Sequence, residues 1–438
     1  MAKRSNYTCQ QCGYSQIGWA GKCPDCGTWG SLVEQVETST KTSSFRTNKT
    51  AASTPKKLSD LKSNKLIRSS SKISELDRVL GGGFVPGQVV LIAGEPGIGK
   101  STLLLQVSDS LKNVLYCSGE ESMVQIKIRA DRLKVKSKQI SILEETNIDT
   151  LIATVKSLNG KDKPKLVVVD SVQTMFTNDL RGMPGSVGQV REISYRLVRL
   201  AKSTQIPIVI VGHVTKEGSV AGPAALAHLV DTVLWFEGDR DLLIRMLRSV
   251  KNRFGPTDEI GVFVMENVGL QPADQLDKLF VSQEKTSVPG SVVTVTMEGT
   301  RPILAEIQSL VAPSRMAYPK RIAQGLDQRR LEVILAVLTR RCRIPIVDWD
   351  VFVNAVGGIS IREPAADLAI ALSLASAFKN KKLPTNFAAI GEIDLLGEIR
   401  PTNMLDNRIK HAKRQGFKSV ITSKDFRNLS SAVAKLLK

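Results

Sequence analysis

The chain has 438 residues, with 61 Lys and Arg against 42 Asp and Glu, for a formal net charge of +19. At 42% hydrophobic and 24% charged, its composition is that of a packed protein and excludes collagen-like or wholly disordered chains. The longest apolar runs, VVLIA and IPIVIV, are strand-length and fall well short of the roughly 18 residues of a membrane span.

The length suits about two to four domains. MAKRSNYTC opens the chain without an apolar signal core, so a cytoplasmic location is expected. The positive excess favours an anionic partner, because released counterions drive such association, and charge alone does not choose between DNA, RNA and an acidic protein.

Four of the six cysteines fall in the first 26 residues, as CQQC, ten residues, then CPDC. Two CxxC knuckles offer four thiolates (Cys9, Cys12, Cys23 and Cys26) for a closed tetrahedral site, so residues 1–36 read as a structural zinc ribbon. Gly13 and Gly27 follow the second Cys of each pair, where the knuckle turns. Trp19 and Trp29 are expected to pack the ribbon. Residues 37–65 hold twelve Ser/Thr and seven Lys/Arg with little to bury, and read as a flexible basic linker.

From residue 66 to 271 apolar strand-like runs alternate with helical stretches: QVVLIA, NVLYC, QISILEE, KLVVVD, IPIVIVG and TVLWFE. That alternation predicts a largely parallel sheet covered on both faces. Within it, Gly94-Glu95-Pro96-Gly97-Ile98-Gly99-Lys100-Ser101 matches GxxxxGK[ST] between a strand and a helix, the phosphate-cradling loop of ATP-binding proteins. The nucleotide-binding set is therefore Gly94, Glu95, Pro96, Gly97, Ile98, Gly99, Lys100, Ser101 and Thr102. Lys100 is expected at the β- and γ-phosphates. Ser101 is expected on Mg²⁺, with Asp170, which ends KLVVVD, holding the ion's water shell. NVLYCSGEES places Glu120 and Glu121 at a strand end, where a carboxylate can activate water. Glu120 is the leading choice and Glu121 the alternative. Arg181 and Arg191 lie in or beside a glycine-rich stretch suited either to contacting DNA or to being a plain surface loop. VGHVTKEG places His213, Thr215 and Lys216 after the next strand.

A second join spans 272–289, and residues 290–438 read as an α+β domain. It opens with paired strands turning at Glu298-Gly299. Helical stretches follow near 327–341, 364–379 and 402–415, with a strand pair at 388–399.

Residues 66–270 resemble the RecA family of ATPases. KNRFG at 251–255, GHVTKEG and EGTRPILAEIQ narrow the resemblance to the RadA (Sms) family of bacterial DNA-repair proteins, over essentially the whole chain. The resemblance implies a DNA-dependent ATPase assembled as a ring, expected to be a hexamer, that drives branch migration in homologous recombination on single-stranded and branched DNA. It further implies a recombinase or replicative helicase as working partner. In that family Lys251 and Arg253 of KNRFG serve ATP hydrolysis and DNA engagement. Chemically they suit either charge neutralisation in trans or DNA-phosphate contacts. At 221–228, AGPAALAH carries Ala where charge is expected.

Residues 290–438 resemble the proteolytic domain of Lon proteases, which use a Ser–Lys dyad. Here the Ser position aligns with Ala365 and the Lys position with Asp406, so no dyad can be assembled and no protease is expected. Lys320, Arg321, Arg329, Arg330, Arg340, Arg341 and Arg343 make the domain a candidate surface for duplex DNA. The fold expected is thus multidomain α/β: a four-Cys zinc ribbon, a RecA-like P-loop core, and an α+β Lon-like domain without its dyad. ATP, Mg²⁺ and Zn²⁺ are the expected cofactors. An ATP-switched adaptor without DNA translocation is the alternative function.

Overall fold

A computed structural model describes residues 5–36, 67–136, 138–213, 226–238, 244–273, 280–281, 288–316 and 318–438. The 37–65 linker, Thr215, Lys216 and most of 221–228 lie outside these. Residues 1–272 and 273–438 form two compact units.

In the first unit, β1 (Ser5–Cys9), β2 (Ser15–Gln16) and β3 (Leu32–Val36) make a three-stranded ribbon in the order β2-β1-β3. Among the described residues its buried hydrophobic core is Cys9, Cys23 and Leu32.

After α1 (Ser74–Leu80), the six apolar runs become the strands of one sheet. They are β4 (Val89–Gly94), β5 (Val114–Ser118), β6 (Ile140–Glu144), β7 (Leu166–Asp170), β8 (Ile208–His213) and β9 (Thr232–Gly238). All six run parallel, and β4 lies centrally between β9 and β8. An antiparallel extension follows: β10 (Ile244–Asn252), β11 (Ile260–Glu266) and β12 (Gly269–Pro272).

Successive residues of β4 feed opposite faces, as strand geometry requires. Val90 and Ile92 pack with Leu76 and Leu80 of α1 and with Leu103 and Leu104 of α2 (Lys100–Leu111). Val89, Leu91 and Ala93 pack with Leu151 of α4 (Ile148–Ser157) and Ile193 and Leu197 of α5 (Val187–Thr204). Both faces are therefore dry, which is why these strands read as continuous apolar runs. A Ser122–Gln125 capping box starts α3 (Met123–Arg132) just beyond Glu120 and Glu121. Gln106 of α2 exchanges two hydrogen bonds with the backbone of Leu270 (2.9 and 3.0 Å), fixing β12 against the helix that carries the phosphate loop.

In the second unit, β13 (Ser291–Glu298) and β14 (Arg301–Pro313) form the expected hairpin, Glu298 pairing with Arg301 across Gly299 at φ 62°. With β15 (Arg321–Gln324), β16 (Trp349–Ala355), β17 (Phe387–Ala389) and β20 (Ser419–Ile421) they build a mixed sheet, β15-β16-β14-β13-β17-β20. α6 (Gln328–Cys342) and α7 (Asp367–Lys379) share one core with β14, β16 and α9 (Leu429–Leu436). The 388–399 segment is not one strand pair. β17 joins the main sheet beside β13, while β18 (Glu392–Ile393) and β19 (Ile399–Arg400) form a separate two-residue hairpin. The third expected helix is α8 (Leu405–Arg414).

Candidate nucleotide site and zinc centre

The phosphate loop leaves the end of β4 and enters α2 at Gly99. Gly97 (φ 78°) and Gly99 (φ 116°) occupy left-handed conformations. A Cβ on Gly99 would also stand 2.8 Å from the flexible end of the Met265 side chain, but it is the backbone conformation that calls for glycine here. Gly94 is equally constrained, since a Cβ there would lie 2.5 Å from the Phe236 carbonyl of β9. Glu95, Pro96 and Gly97 are exposed, Ile98 is buried, and Ser101 and Thr102 are half-buried at the helix start. The unpaired first-turn amides and the helix dipole give this end of α2 a preference for anions.

Lys100 is buried, and its Nζ donates to the carbonyls of Gly94 and Glu95, both at 2.9 Å. Burial lowers its pKa, while the charges of Asp170 and Glu120 oppose that shift. The ammonium and the two carboxylates thus form one electrostatic cluster. Asp170, at the end of β7, is buried and accepts a 2.5 Å hydrogen bond from Tyr116 Oη through Oδ2. Glu120 Oε1 accepts from Ser171 Oγ and lies 3.1 Å from His213 Nε2. His213 and Ser171, with Lys100 nearby, hold the Glu120 carboxyl down to about 2 although burial opposes them. Glu121 points elsewhere, to an ion pair with Arg129. The structure therefore brings Lys100, Asp170, Glu120 and His213 together and leaves Glu121 aside.

Sequence reasoning missed three supports of this cluster: Tyr116, Ser171 and Arg245. The last reaches from β10 to the Ile98 carbonyl, 3.3 Å away, and braces the loop. None has a local signal, because each acts across strands that only the fold makes neighbours.

Lys251 and Arg253 are not part of their own chain's phosphate site. β9 pairs with β4 from Val90↔Thr232 to Gly94↔Phe236, and Asn252 pairs with Thr232. The pair thus sits at the far end of the sheet, about 13 Å along the strands from the loop at about 3.3 Å per residue. Lys251 Nζ donates to the carbonyls of Ala227 (2.6 Å) and Val230 (2.8 Å). Arg253, half exposed, lies 3.3 Å from the buried Asp231. Asn252 and Arg68 tie the turn to α1: Asn252 Nδ2 donates to the Val79 carbonyl, and Arg68 to those of Leu80 and Phe254. Arg181 and Arg191 are exposed, the former on the loop between β7 and α5 and the latter on α5 itself.

In the ribbon, the four cysteine sulfurs lie within 4.8 Å of one another, and the closest pairs (Cys9–Cys26 and Cys12–Cys23) are 3.6 Å apart. A tetrahedron of thiolates at about 2.3 Å from zinc has edges of about 3.8 Å, so this cluster fits Zn²⁺. Trp19 and Trp29 do not pack the ribbon. They are 67% and 75% exposed, because so small a core has no room for two indoles. Cys23→Ser is expected to release one zinc per chain and unfold the ribbon, leaving the core's melting transition nearly unchanged. Zinc release and calorimetry read the two effects separately, and loss of the core transition would contradict it.

In the second unit Ala365 is buried in the short turn Pro364–Ala366 that leads into α7, with no hydroxyl to act as nucleophile. Asp406 is exposed and lies 3.2 Å from Lys424. Bidentate ion pairs stand beside these positions: Glu363 with Arg408 at 2.6 and 2.7 Å, and Arg330 with Asp367. Arg330 is thereby removed from the candidate DNA surface. So is Arg321, which donates to the Val347 carbonyl.

These features define the class: a zinc-ribbon protein with a RecA-like ATPase core and a Lon-like C-terminal domain without a catalytic dyad. Family models agree. A rubredoxin metal binding domain matches residues 7–34, an AAA domain 53–219, and the subunit ChlI of Mg-chelatase 337–425. DNA repair protein RadA of Aquifex aeolicus is 47% identical over 96% of this chain and 94% of its own. RadA of Pseudomonas aeruginosa is 46% identical over 96% and 92%, and RadA of Bacillus subtilis 43% over 96% and 93%. The chain belongs to the RadA family of DNA repair proteins. Among solved structures, one ATPase domain aligns with 47% of this chain and 90% of its own, at 16% identity and a TM-score of 0.39, too distant to inform function.

Proposed function

We propose that the protein is a ring-forming, DNA-dependent ATPase that moves on single-stranded DNA and promotes branch migration of recombination intermediates. The observation that carries this reading is the split site. Lys100, Asp170 and Glu120 converge at the phosphate loop, whereas Lys251 and Arg253 stand at the opposite end of the same sheet. A second copy is then needed to bring the basic pair to the phosphates, and closed head-to-tail assembly gives a ring.

In this reading the loop amides and Lys100 hold the β- and γ-phosphates. Ser101 and Asp170 would hold Mg²⁺, which when bound supplies neutralising charge to the phosphate oxygens. Glu120 orients a water and takes its proton as the oxygen attacks the γ-phosphorus and the bond to ADP breaks. Lys251 and Arg253 of the neighbour neutralise charge developing on the transferring group. Arg181 adds a DNA contact, and the net charge adds salt-sensitive affinity independent of base sequence. Among the described residues no helix is long and apolar enough to cross a membrane.

The test is the ATPase rate with and without single-stranded DNA, across salt. Stimulation of about tenfold or more at low salt, declining as salt rises, is the expected result. A rate indifferent to DNA at low salt would overturn the motor and favour the ATP-switched adaptor.

A further inference from the structure

Ser171 follows Asp170 and is wholly buried, and its hydroxyl donates to the Glu120 carboxylate, 51 positions away in sequence. The seat of that hydroxyl is fixed on every side. The Ser171 carbonyl accepts from Thr174 Oγ1 at 2.8 Å, and Val172 N donates to the Val211 carbonyl of β8 at 3.1 Å. Thr174 in turn packs on Gly119, where a Cβ would stand 2.3 Å from its Oγ1. Gly119 N donates to the Asp170 carbonyl at 2.9 Å, so the backbone just before Glu120 is bonded to the backbone just before Ser171. His213 Nε2, from the end of β8, approaches the same Oε1 that Ser171 engages, at 3.1 Å. Neither contact involves Oε2.

We propose that Ser171 is a positioning residue for hydrolysis, which holds Glu120 by Oε1, against His213, so that Oε2 is the oxygen presented to the attacking water. The inference rests on the reading of Glu120 as the water-activating group. A carboxylate on an exposed turn samples several rotamers, and a buried donor on one oxygen, with an imidazole nitrogen 3.1 Å from the same oxygen, removes that freedom before substrate arrives. Ser171, directly after β7, is buried in the core. His213, at the end of β8, stands where the chain leaves the sheet, so the two contacts place the water-activating carboxylate against both neighbouring strand ends.

The experiment uses the full chain with single-stranded DNA and saturating ATP. Ser171→Ala is expected to lower kcat about tenfold or more, the size set by losing a hydrogen bond to a charged group, with KM and nucleotide affinity unchanged. Ser171→Thr keeps the hydroxyl and should recover most of the rate. In a Glu120→Ala background, measured by single turnover, removing the Ser171 hydroxyl should change the rate less than about twofold, because its target is gone. An unchanged kcat in Ser171→Ala, or an equal loss in both backgrounds, overturns the positioning role. Full turnover in Glu120→Ala alone would instead overturn the reading of Glu120, and the two failures are distinguishable. Thermal melting of each variant identifies a loss of rate that comes from unfolding, in which case nucleotide affinity falls with it and the proposal fails.

Discussion

Glu120→Gln is expected to cut turnover by about 10²-fold or more while nucleotide binding stays within about twofold. The two carboxylates of the SGEES turn differ in surroundings, not in chemistry. Glu120 faces His213, Ser171 and Lys100, and is held down to about 2, so it is ionised throughout the working pH range. Such an acidic carboxylate is a weak base. Its first value lies in orienting the water and placing negative charge beside it, and it takes the proton only late, because phosphoryl transfer demands little proton abstraction before the bond to ADP breaks. Glu121 is committed to Arg129, and its backbone is tied to Ser118 by hydrogen bonds of 2.7 and 3.0 Å. Glu121→Gln should therefore keep turnover within a few-fold, because a partly exposed ion pair contributes little. Phosphate release and equilibrium binding of a fluorescent ATP analogue measure both. Equal loss of turnover in the two variants, or loss of binding in Glu120→Gln, would refute the assignment.

The phosphate loop was legible because its information is local: glycines, a lysine and a hydroxyl at fixed spacing between a strand and a helix. The strands were legible for a related reason. A parallel strand dry on both faces must be apolar throughout, as VVLIAG and LVVVD are. What could not be read depends on which strand ends become neighbours. Nothing around Ser171 or Tyr116 announces that they meet Glu120 and Asp170, because their separations, 51 and 54 positions, close only when β5 and β7 pair.

The ribbon tryptophans misled in the opposite direction. Aromatic residues are normally core, but a zinc cluster replaces the core and leaves Trp19 and Trp29 outside, both bordering Gly21. In the second unit the apolar stretch 387–393 feeds two separate sheets, and a run of apolar residues carries no mark of where one ladder stops. The surface charges were misjudged for the same reason. Arg330 reads as a solvated cation on a helix face until Asp367, buried at the start of α7, turns out to be its partner.

Replacing both Lys251 and Arg253 by Ala is expected to lower DNA-stimulated turnover by about 10³-fold, the lower range for a basic group neutralising the transferring phosphate. The two residues should divide the effect. Lys251 is spent on the carbonyls of Ala227 and Val230, and burial lowers its pKa, so its loss should loosen the turn and lower the melting temperature. The Arg253 side chain is half exposed and held to Asp231 at 3.3 Å, so it is the freer of the two to reach a neighbour's nucleotide. Mixing decides whether they act in trans. The double variant keeps an intact phosphate loop, and Lys100→Ala keeps an intact basic pair, so each alone should be inactive. In an equimolar random ring about a quarter of the interfaces join an intact loop to an intact pair, and activity should return toward that fraction. A mixture as inactive as its parts would mean that each chain uses its own pair. The about 13 Å of strand between Asn252 and the loop would then have to be crossed by a rearrangement of the 251–255 turn against α1, to which Asn252 and Arg68 bind it.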